Sequence, residues 1–174
     1  MQALRQRYYE LYPNSFFLDM EDGIGLQQYL RMRGWITRHQ ELKLIEKPGA
    51  GNMNCILRIR LTDGKSFIIK QSRPWVEKFP HIPAPEDRIQ SEINYYDAIS
   101  NNALLLSYSP NILYHDSMNH VMILEDLGES ADLSGIYHTS DVLDEDQIFT
   151  CVSYLNALQH VEIPKGYPLN IKMR

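Results

Sequence analysis

The sequence contains little cysteine and no long apolar run, and each absence excludes a class of protein. Its 174 residues include two cysteines, Cys55 and Cys151, which stand far apart in the chain. This excludes a disulfide-based secreted domain and predicts two free, reduced and buried thiols. No apolar run approaches the about 20 residues of a membrane-spanning helix, and residues 1–7 are too polar for a signal peptide. We therefore expect a cytoplasmic protein with no membrane partner.

An excess of basic residues is also missing. The formal net charge is −5, which argues against a nucleic-acid partner because such surfaces need a basic patch. The six histidines form no H-E-x-x-H motif, and His115 and His120 have no cysteine pair upstream to complete a zinc site. We predict no nucleic-acid partner and no metal ligand in this chain.

Residues 1–40 have helical spacing. Leu26, Leu30 and Trp35 recur near one helical face, and Gly34 is a plausible C-terminal stop. Residues 41–72 instead alternate apolar and charged side chains, as strands do. The alternating positions are Leu42 and Leu44 in a first strand, and Leu57, Ile59 and Leu61 with Arg58 and Arg60 between them in a half-buried second one.

A tight turn at Asp63-Gly64 then predicts a return strand over 66–70. Residues 73–84 are rich in proline, which predicts a loop, and Pro85 suits the first position of a helix. The buried face of that helix would consist of Ile89, Ile93 and Tyr96.

A second hairpin is predicted over residues 112–124. Asp144 and Gln147 then form a capping-box pattern that starts a helix running to about residue 161, with Ile148, Val152 and Leu155 on its apolar face. Strands followed by helices indicate an α+β arrangement.

Four features of this sequence can carry chemistry. In the glycine turn, Gly49, Gly51 and Asn52 would let backbone N–H groups approach an anion, although an ordinary hairpin turn fits as well. Lys70 ends an apolar strand on the same face as Ile68, so its ammonium is either solvated or directed into a cleft.

The other two features are a helical glutamate and a strand end. Glu92 lies beside the apolar face of the predicted helix, where a plain exposed glutamate is the alternative. The apolar strand 121–124 runs into Glu125-Asp126-Leu127-Gly128, which otherwise is simply a polar turn. The order of the four is that of a protein-kinase-like N-terminal lobe, in which a strand lysine holds ATP phosphates and pairs with a helix glutamate.

Three motifs resemble the aminoglycoside-phosphotransferase-like small-molecule kinases, and methylthioribose kinases most of all. Residues 49–54 (GAGNMN) resemble their G-x-G-N-x-N loop, residues 67–71 (FIIKQ) their F-V-I-K-Q strand, and residues 122–127 (MILEDL) their V-M-E-D-L hinge. The resemblance covers roughly residues 20–174. It implies a nucleotide-binding lobe with an antiparallel sheet of about five strands and one helix against it.

The resemblance also implies roles for individual residues, with ATP and Mg2+ as cofactors and a small hydroxylated metabolite, such as a thio-sugar, as substrate. The glycine loop at Gly49, Gly51 and Asn52 would cover the phosphates, and Lys70, oriented by Glu92, would bind the α- and β-phosphates. The Glu125 carbonyl and Leu127 amide would contact adenine, and Ile68 would lie under the ring.

One departure from the family is decisive. Such kinases need an H-G-D-type catalytic loop, and none of the six histidines begins a His-x-Asp triplet. We therefore assign no catalytic residue, expect a truncated chain that is inactive alone, and leave open whether it is an enzyme. We divide the chain into an N-terminal helical extension (1–40), a nucleotide-binding lobe (41–127) and a hinge with the first helix of a C-terminal lobe (128–174).

Two other interpretations stay open at this point. The chain could be a non-catalytic nucleotide-binding or pseudokinase-type interaction module. It could also be an unrelated α+β domain in which Lys70 and Glu92 are surface charges. In the kinase-like interpretation the apolar face of the last helix is uncovered, so we expect a homo-oligomer formed through it.

Overall fold

The computed structural model describes residues 2–49, 51–129, 136–137 and 142–162. Its helices are α1 (Gln2–Leu11), α2 (Gly23–Met32), α3 (Arg88–Ile99), α4 (Ala103–Ser107) and α5 (Glu145–Gln159). Its strands are β1 (Leu42–Glu46), β2 (Cys55–Leu61), β3 (Ser66–Gln71), β4 (Trp75–Val76), β5 (Phe79–Pro83), β6 (Ile112–Asp116) and β7 (Val121–Glu125). Much of the predicted 128–174 segment lies outside the described residues.

An antiparallel five-stranded sheet in the order β1-β2-β3-β7-β6 organises the fold, and β4 and β5 form a separate two-stranded sheet. In the large sheet Ile69 pairs with Leu57 on one side and with Ile123 on the other. The prediction of an α+β fold with a sheet of about five strands, one helix against it and N-terminal helices is confirmed.

Helix α2 covers one face of the sheet. Leu26 and Leu30 of α2 are buried against the odd-numbered side chains of β2 and β3, such as Leu57 and Ile69. Alternation along the strands places the even-numbered side chains on the opposite face. The main core therefore lies on the α2 side of the sheet.

Helix α3 packs on the opposite face, against the strand that precedes the predicted hinge. Ile89 and Ile93 of α3 bury Met122 and Leu124 of β7, and Ile68 is partly buried beside them. Lys70 lies on this same face, between its cross-strand partners Ile56 and Met122.

Gln71 joins the N-terminal extension to the sheet. Its side-chain amide is fully buried, donates to the carbonyls of Phe16 (2.7 Å) and Asn119 (3.0 Å), and accepts from the backbone N–H of Leu18 (2.8 Å). A buried amide with its hydrogen bonds satisfied fixes its neighbours in place. Residues 2–22 are therefore attached to the lobe through its third strand.

Two predictions about residues 73–87 are wrong. The proline-rich stretch contains β4 and β5, in which Trp75 pairs with Pro83. Proline is tolerated there because a two-stranded ribbon leaves outward-facing positions that need no N–H donor. Helix α3 begins at Arg88 and not at Pro85, since the carbonyls of Pro85 and Glu86 accept hydrogen bonds from the side chains of Arg88 and Ser72.

Further differences concern the thiols and the helices. Cys55 is buried as predicted, but Cys151 is exposed on α5. The short helix α4 was not predicted, and residues 12–22 are not helical. The start of α5 is confirmed, because Asp144 and Gln147 form a capping box. Within the described residues, no helix is long and apolar enough to cross a membrane.

Candidate functional site

An open cleft of about 570 Å³ lies on the α3 face of the large sheet. Ile68 and Lys70 of β3 contribute to its floor, and Leu124 of β7 lies beside them. Glu125 and Leu127, from the segment that leaves β7, line it too. The cleft therefore brings the predicted strand lysine and the predicted hinge together, with apolar side chains between them.

A short ion pair lies at the Lys70 side of this cleft. The ammonium Nζ of Lys70 is 2.5 Å from Oε1 of Glu92. The two side chains are 20% and 29% exposed, so they are partly withdrawn from water. Lys70 leaves the sheet on the α3 face, and Glu92 follows Ile89 on α3 by about one helical turn. Sheet alternation and helix register together thus bring the two charges into contact.

The glycine turn lies over the neighbouring strand. A Cβ placed on Gly51 would be 3.4 Å from the Asn54 carbonyl oxygen and 3.5 Å from Cδ1 of Ile56, the cross-strand partner of Lys70, and one placed on Gly49 would meet nothing within 4 Å. No contact of the added Cβ is short enough to be a clash, so packing inside the protein does not demand glycine at these positions. The Gly51 N–H donates to the Gly49 carbonyl at 3.0 Å, so this N–H is already engaged.

The β4–β5 ribbon and α3 hold the far side of the glycine turn. The backbone N–H of Lys78 donates to the Asn52 carbonyl (3.0 Å), and that of Glu77 donates to the Met53 carbonyl (3.3 Å). The guanidinium of Arg88 donates to the Met53 carbonyl and to Oδ1 of Asn54, both at 3.0 Å. The segment predicted to be a proline-rich loop is therefore part of the support of this turn.

The predicted hinge begins at Glu125, whose side chain is directed away from the lysine. Its carboxylate accepts a hydrogen bond from Nδ2 of Asn111 at 2.7 Å, and its N–H donates to the Asn111 carbonyl at 2.9 Å. Leu127 is 65% exposed at the cleft. The residues predicted to contact adenine thus border the cleft at the end opposite the Lys70–Glu92 pair.

Arg58 is a site residue that the sequence reasoning missed. It is buried, its Nε lies 3.1 Å from Oδ2 of Asp126, and its Nη2 donates to the Gly128 carbonyl at 2.6 Å. Asp126 in turn accepts from the Gly128 N–H at 3.0 Å, and Gly128 has a φ of +86°. Arg58 therefore clamps the hinge turn onto β2. The sequence carried no signal for this role, because Arg58 and Arg60 hold equivalent alternating positions in β2 and only Arg58 is buried.

Asp126 is ionised within this clamp. Desolvation by burial raises the pKa of Asp126, but hydrogen bonds from Ser66, from the Gly128 N–H and from Arg58, together with the Arg58 charge, outweigh it and hold the pKa below its ordinary value. The Arg58–Asp126 contact is consequently a true ion pair at neutral pH.

The described residues contain no group of three or more His, Cys, Asp or Glu side chains that could hold a metal ion. The side chains of the cleft therefore do not fit Mg2+ as a protein-bound metal. Any Mg2+ would need the phosphates or groups elsewhere as ligands.

The structure combines an antiparallel five-stranded sheet, a helix against it, and a strand lysine paired with a helix glutamate. This combination fits the N-terminal lobe of a kinase-like protein. No protein-family model matches the chain. Methylthioribose kinase of Erwinia tasmaniensis is 30% identical over 109 residues, which are 60% of this chain and 26% of that relative.

Other curated relatives carry the same name. Methylthioribose kinase of Pectobacterium carotovorum subsp. carotovorum is 30% identical over 107 residues, 59% of this chain and 26% of the relative. That of Yersinia pseudotuberculosis serotype O:1b is 30% identical over 107 residues, 59% of this chain and 25% of the relative. The resemblance to methylthioribose kinases is thus confirmed over part of the chain, and the match spans about a quarter of the length of these relatives.

Proposed function

We propose that this chain is the ATP-binding portion of a kinase that phosphorylates a hydroxyl group of a small metabolite. The observation that carries the proposal is the Lys70–Glu92 ion pair, 2.5 Å long, at one end of a cleft whose other end is formed by residues 125–127. A long, flexible ammonium needs such an anchor before it can hold a phosphate in a fixed position.

In this proposal the two ends of the cleft bind different parts of the nucleotide. Ile68 and Leu124 pack against adenine, and the Glu125 carbonyl and Leu127 N–H contact its polar edge. Lys70 binds the α- and β-phosphates, and Glu92 keeps its ammonium in place. The backbone of Gly49, Gly51 and Asn52 covers the phosphates, where any donation from Gly51 requires its N–H to leave the Gly49 carbonyl.

The acceptor follows from the relatives, whose name makes a methylthioribose-like sugar the candidate substrate. The acceptor oxygen attacks the γ-phosphorus, the bond from that phosphorus to the bridging oxygen breaks, and ADP leaves. The hydroxyl proton must pass to a base, and the sequence contains no His-x-Asp triplet to supply one. We therefore propose no phosphoryl transfer by these 174 residues alone.

The proposal assigns one task to each predicted segment of the chain. Residues 41–127 form the nucleotide lobe, and residues 128–174 connect it to a second lobe through α5. Residues 1–40 brace the lobe, which the buried hydrogen bonds of Gln71 to Phe16 and Leu18 support.

A second candidate function is a non-catalytic nucleotide-binding module that acts through partner contacts. These 174 residues hold the cleft but no His-x-Asp triplet, so nucleotide binding without turnover is all that this proposal requires of them. Both candidates require nucleotide in the cleft, and they differ in turnover. Phosphorylated sugar formed by the purified chain would exclude the module and would also contradict our proposal that the chain is inactive alone.

Calorimetric titration with ATP and Mg2+ tests the shared claim of nucleotide binding. Lys70→Met should weaken ATP binding by about tenfold or more, because a charge-assisted contact to phosphate is lost. Lys65→Met, which removes an exposed lysine at the β2–β3 turn, should leave the affinity unchanged. Equal affinity of Lys70→Met and wild type, or no binding by the wild type at millimolar ATP, would contradict the proposal.

A further inference from the structure

Helix α3 begins with a buried arginine that lies outside the family motifs described above. Arg88 is 9% exposed, and its guanidinium donates to the carbonyls of Met53 (3.0 Å), Arg73 (3.2 Å) and Trp75 (3.4 Å), to that of Pro85, and to Oδ1 of Asn54 (3.0 Å). Two of these acceptors belong to the C-terminal end of the glycine turn. The first residue of α3 is thereby bonded to the strand-joining segment that precedes β2.

Arg88 and Glu92 are four residues apart on α3, so they lie one above the other on the same face. Their separation along the helix axis is about 6 Å. Arg88 holds Met53 and Asn54, whereas Glu92 holds Lys70. One rigid helical turn therefore sets the distance between the glycine turn and the strand lysine.

We infer that Arg88 is a positioning residue that fixes the glycine turn relative to the Lys70–Glu92 pair, so that both engage the same phosphate chain. This inference rests on the proposed function. Arg88 itself contacts no nucleotide and acts through Met53 and Asn54. Its effect is confined to the phosphate end of the cleft, since the residues at the hinge end are held separately by Arg58 and Asn111.

A comparison of ligands with and without phosphates distinguishes this positioning role from a general contribution of Arg88 to packing. ATP spans both ends of the cleft, whereas adenosine occupies the hinge end alone. Loss of Arg88 should therefore weaken the binding of ATP but leave the binding of adenosine unchanged. A general loss of folding would weaken both ligands equally.

The experiment compares the affinities of Arg88→Met, Arg88→Lys and wild type for ATP and for adenosine. ATP binding to Arg88→Met should weaken by about tenfold or more, because contacts from a charged donor to two acceptors of the turn are lost. Adenosine binding should stay within about twofold. Arg88→Lys retains the charge but not the planar guanidinium, so its affinity for ATP should lie between those of wild type and Arg88→Met.

Two control variants frame that comparison. Arg58→Lys disturbs the contacts of Arg58 with the hinge turn and should weaken the binding of ATP and of adenosine by the same factor. Arg5→Lys alters an ion pair with Asp19 in the N-terminal extension and should change neither. An unchanged ratio of ATP to adenosine affinity in Arg88→Met, with the wild type binding both, would overturn the inference and leave the proposed function intact.

A second readout needs no nucleotide. Amide hydrogen exchange of Glu77 and Lys78, whose N–H groups bond to Met53 and Asn52, should be at least about tenfold faster in Arg88→Met and Arg88→Lys, while that of Ile69 in β3 should not change. Unchanged exchange at Glu77 and Lys78 would overturn the inference. If the wild type binds no nucleotide, the proposed function fails and the inference fails with it, and the exchange measurement then shows only whether Arg88 holds the glycine turn in place.

Discussion

Arg58 and Asp126 show how one buried pair shapes the hinge end of the cleft. The Arg58 side chain is 8% exposed and that of Asp126 is 4% exposed, so neither charge is well hydrated. Breaking a buried pair by removing one partner leaves the other charge uncompensated, which costs more than the pair itself contributes. The hinge therefore depends on both members being present.

Arg58→Met should lower the free energy of unfolding at pH 7 by about 3 kcal/mol, since it leaves the Asp126 carboxylate buried without its partner. Urea titration followed by circular dichroism measures this. The double variant Arg58→Met/Asp126→Asn should recover part of the loss because no charge is then stranded. Equal stability of Arg58→Met and wild type would show that the clamp contributes nothing to the fold.

The same pair predicts a pH dependence. The folded-state pKa of Asp126 lies below its ordinary value, so its stabilising contribution is complete above the unfolded-state pKa of about 4 and is lost as the pH falls further. The difference in unfolding free energy between wild type and Arg58→Met should therefore shrink below about pH 4. A difference that stays constant down to pH 2 would contradict this account.

Among the single helices, strands and turns, the sequence predicted those whose geometry depends on residues close together in the chain. The Asp63-Gly64 turn was predictable because a tight hairpin needs a positive φ, and Gly64 has a φ of +87°. The start of α5 was predictable because a capping box involves residues three positions apart. The Lys70–Glu92 contact was inferred from the order of elements in a known type of lobe.

Elements that depend on distant partners were not predictable from the sequence. The β4–β5 ribbon is stabilised by bonds from Glu77 and Lys78 to the glycine turn, far away in sequence. The first residues of the predicted helix are held by Ser72 and Arg88 in a turn, so α3 begins later than Pro85 indicates. The burial of Arg58 likewise depends on a carboxylate in another strand–turn segment.

The capping box of α5 gives a prediction at this level. Asp144→Ala should destabilise the start of α5 by about 1 kcal/mol because the Gln147 N–H loses its acceptor. Hydrogen exchange of the Gln147 and Ile148 amides measures the local loss. Asp146→Ala, which removes an acidic residue of the first turn but no cap, should have a smaller effect, and equal effects would argue against the capping assignment.

For the whole molecule, the exposed apolar face of α5 is relevant to whether the chain is a monomer or an oligomer. Ile148, Val152 and Leu155 are 48%, 58% and 55% exposed, and an apolar stripe of this kind favours self-association. We propose that the chain forms a dimer or larger oligomer through α5. Sedimentation velocity should show oligomers for the wild type and monomers for Val152→Glu, whereas a monomeric wild type would contradict the proposal.

The central claim is that a nucleotide occupies the cleft between the Lys70–Glu92 pair and residues 125–127. Amide NMR spectra of the labelled chain, recorded during titration with ATP and Mg2+, test it most directly. We predict chemical-shift changes concentrated at Gly51, Asn52, Ile68, Lys70, Glu125 and Leu127, with those at 125–127 persisting when adenosine replaces ATP. Changes confined to residues other than these six and their neighbours, or none at millimolar ATP, would contradict the account.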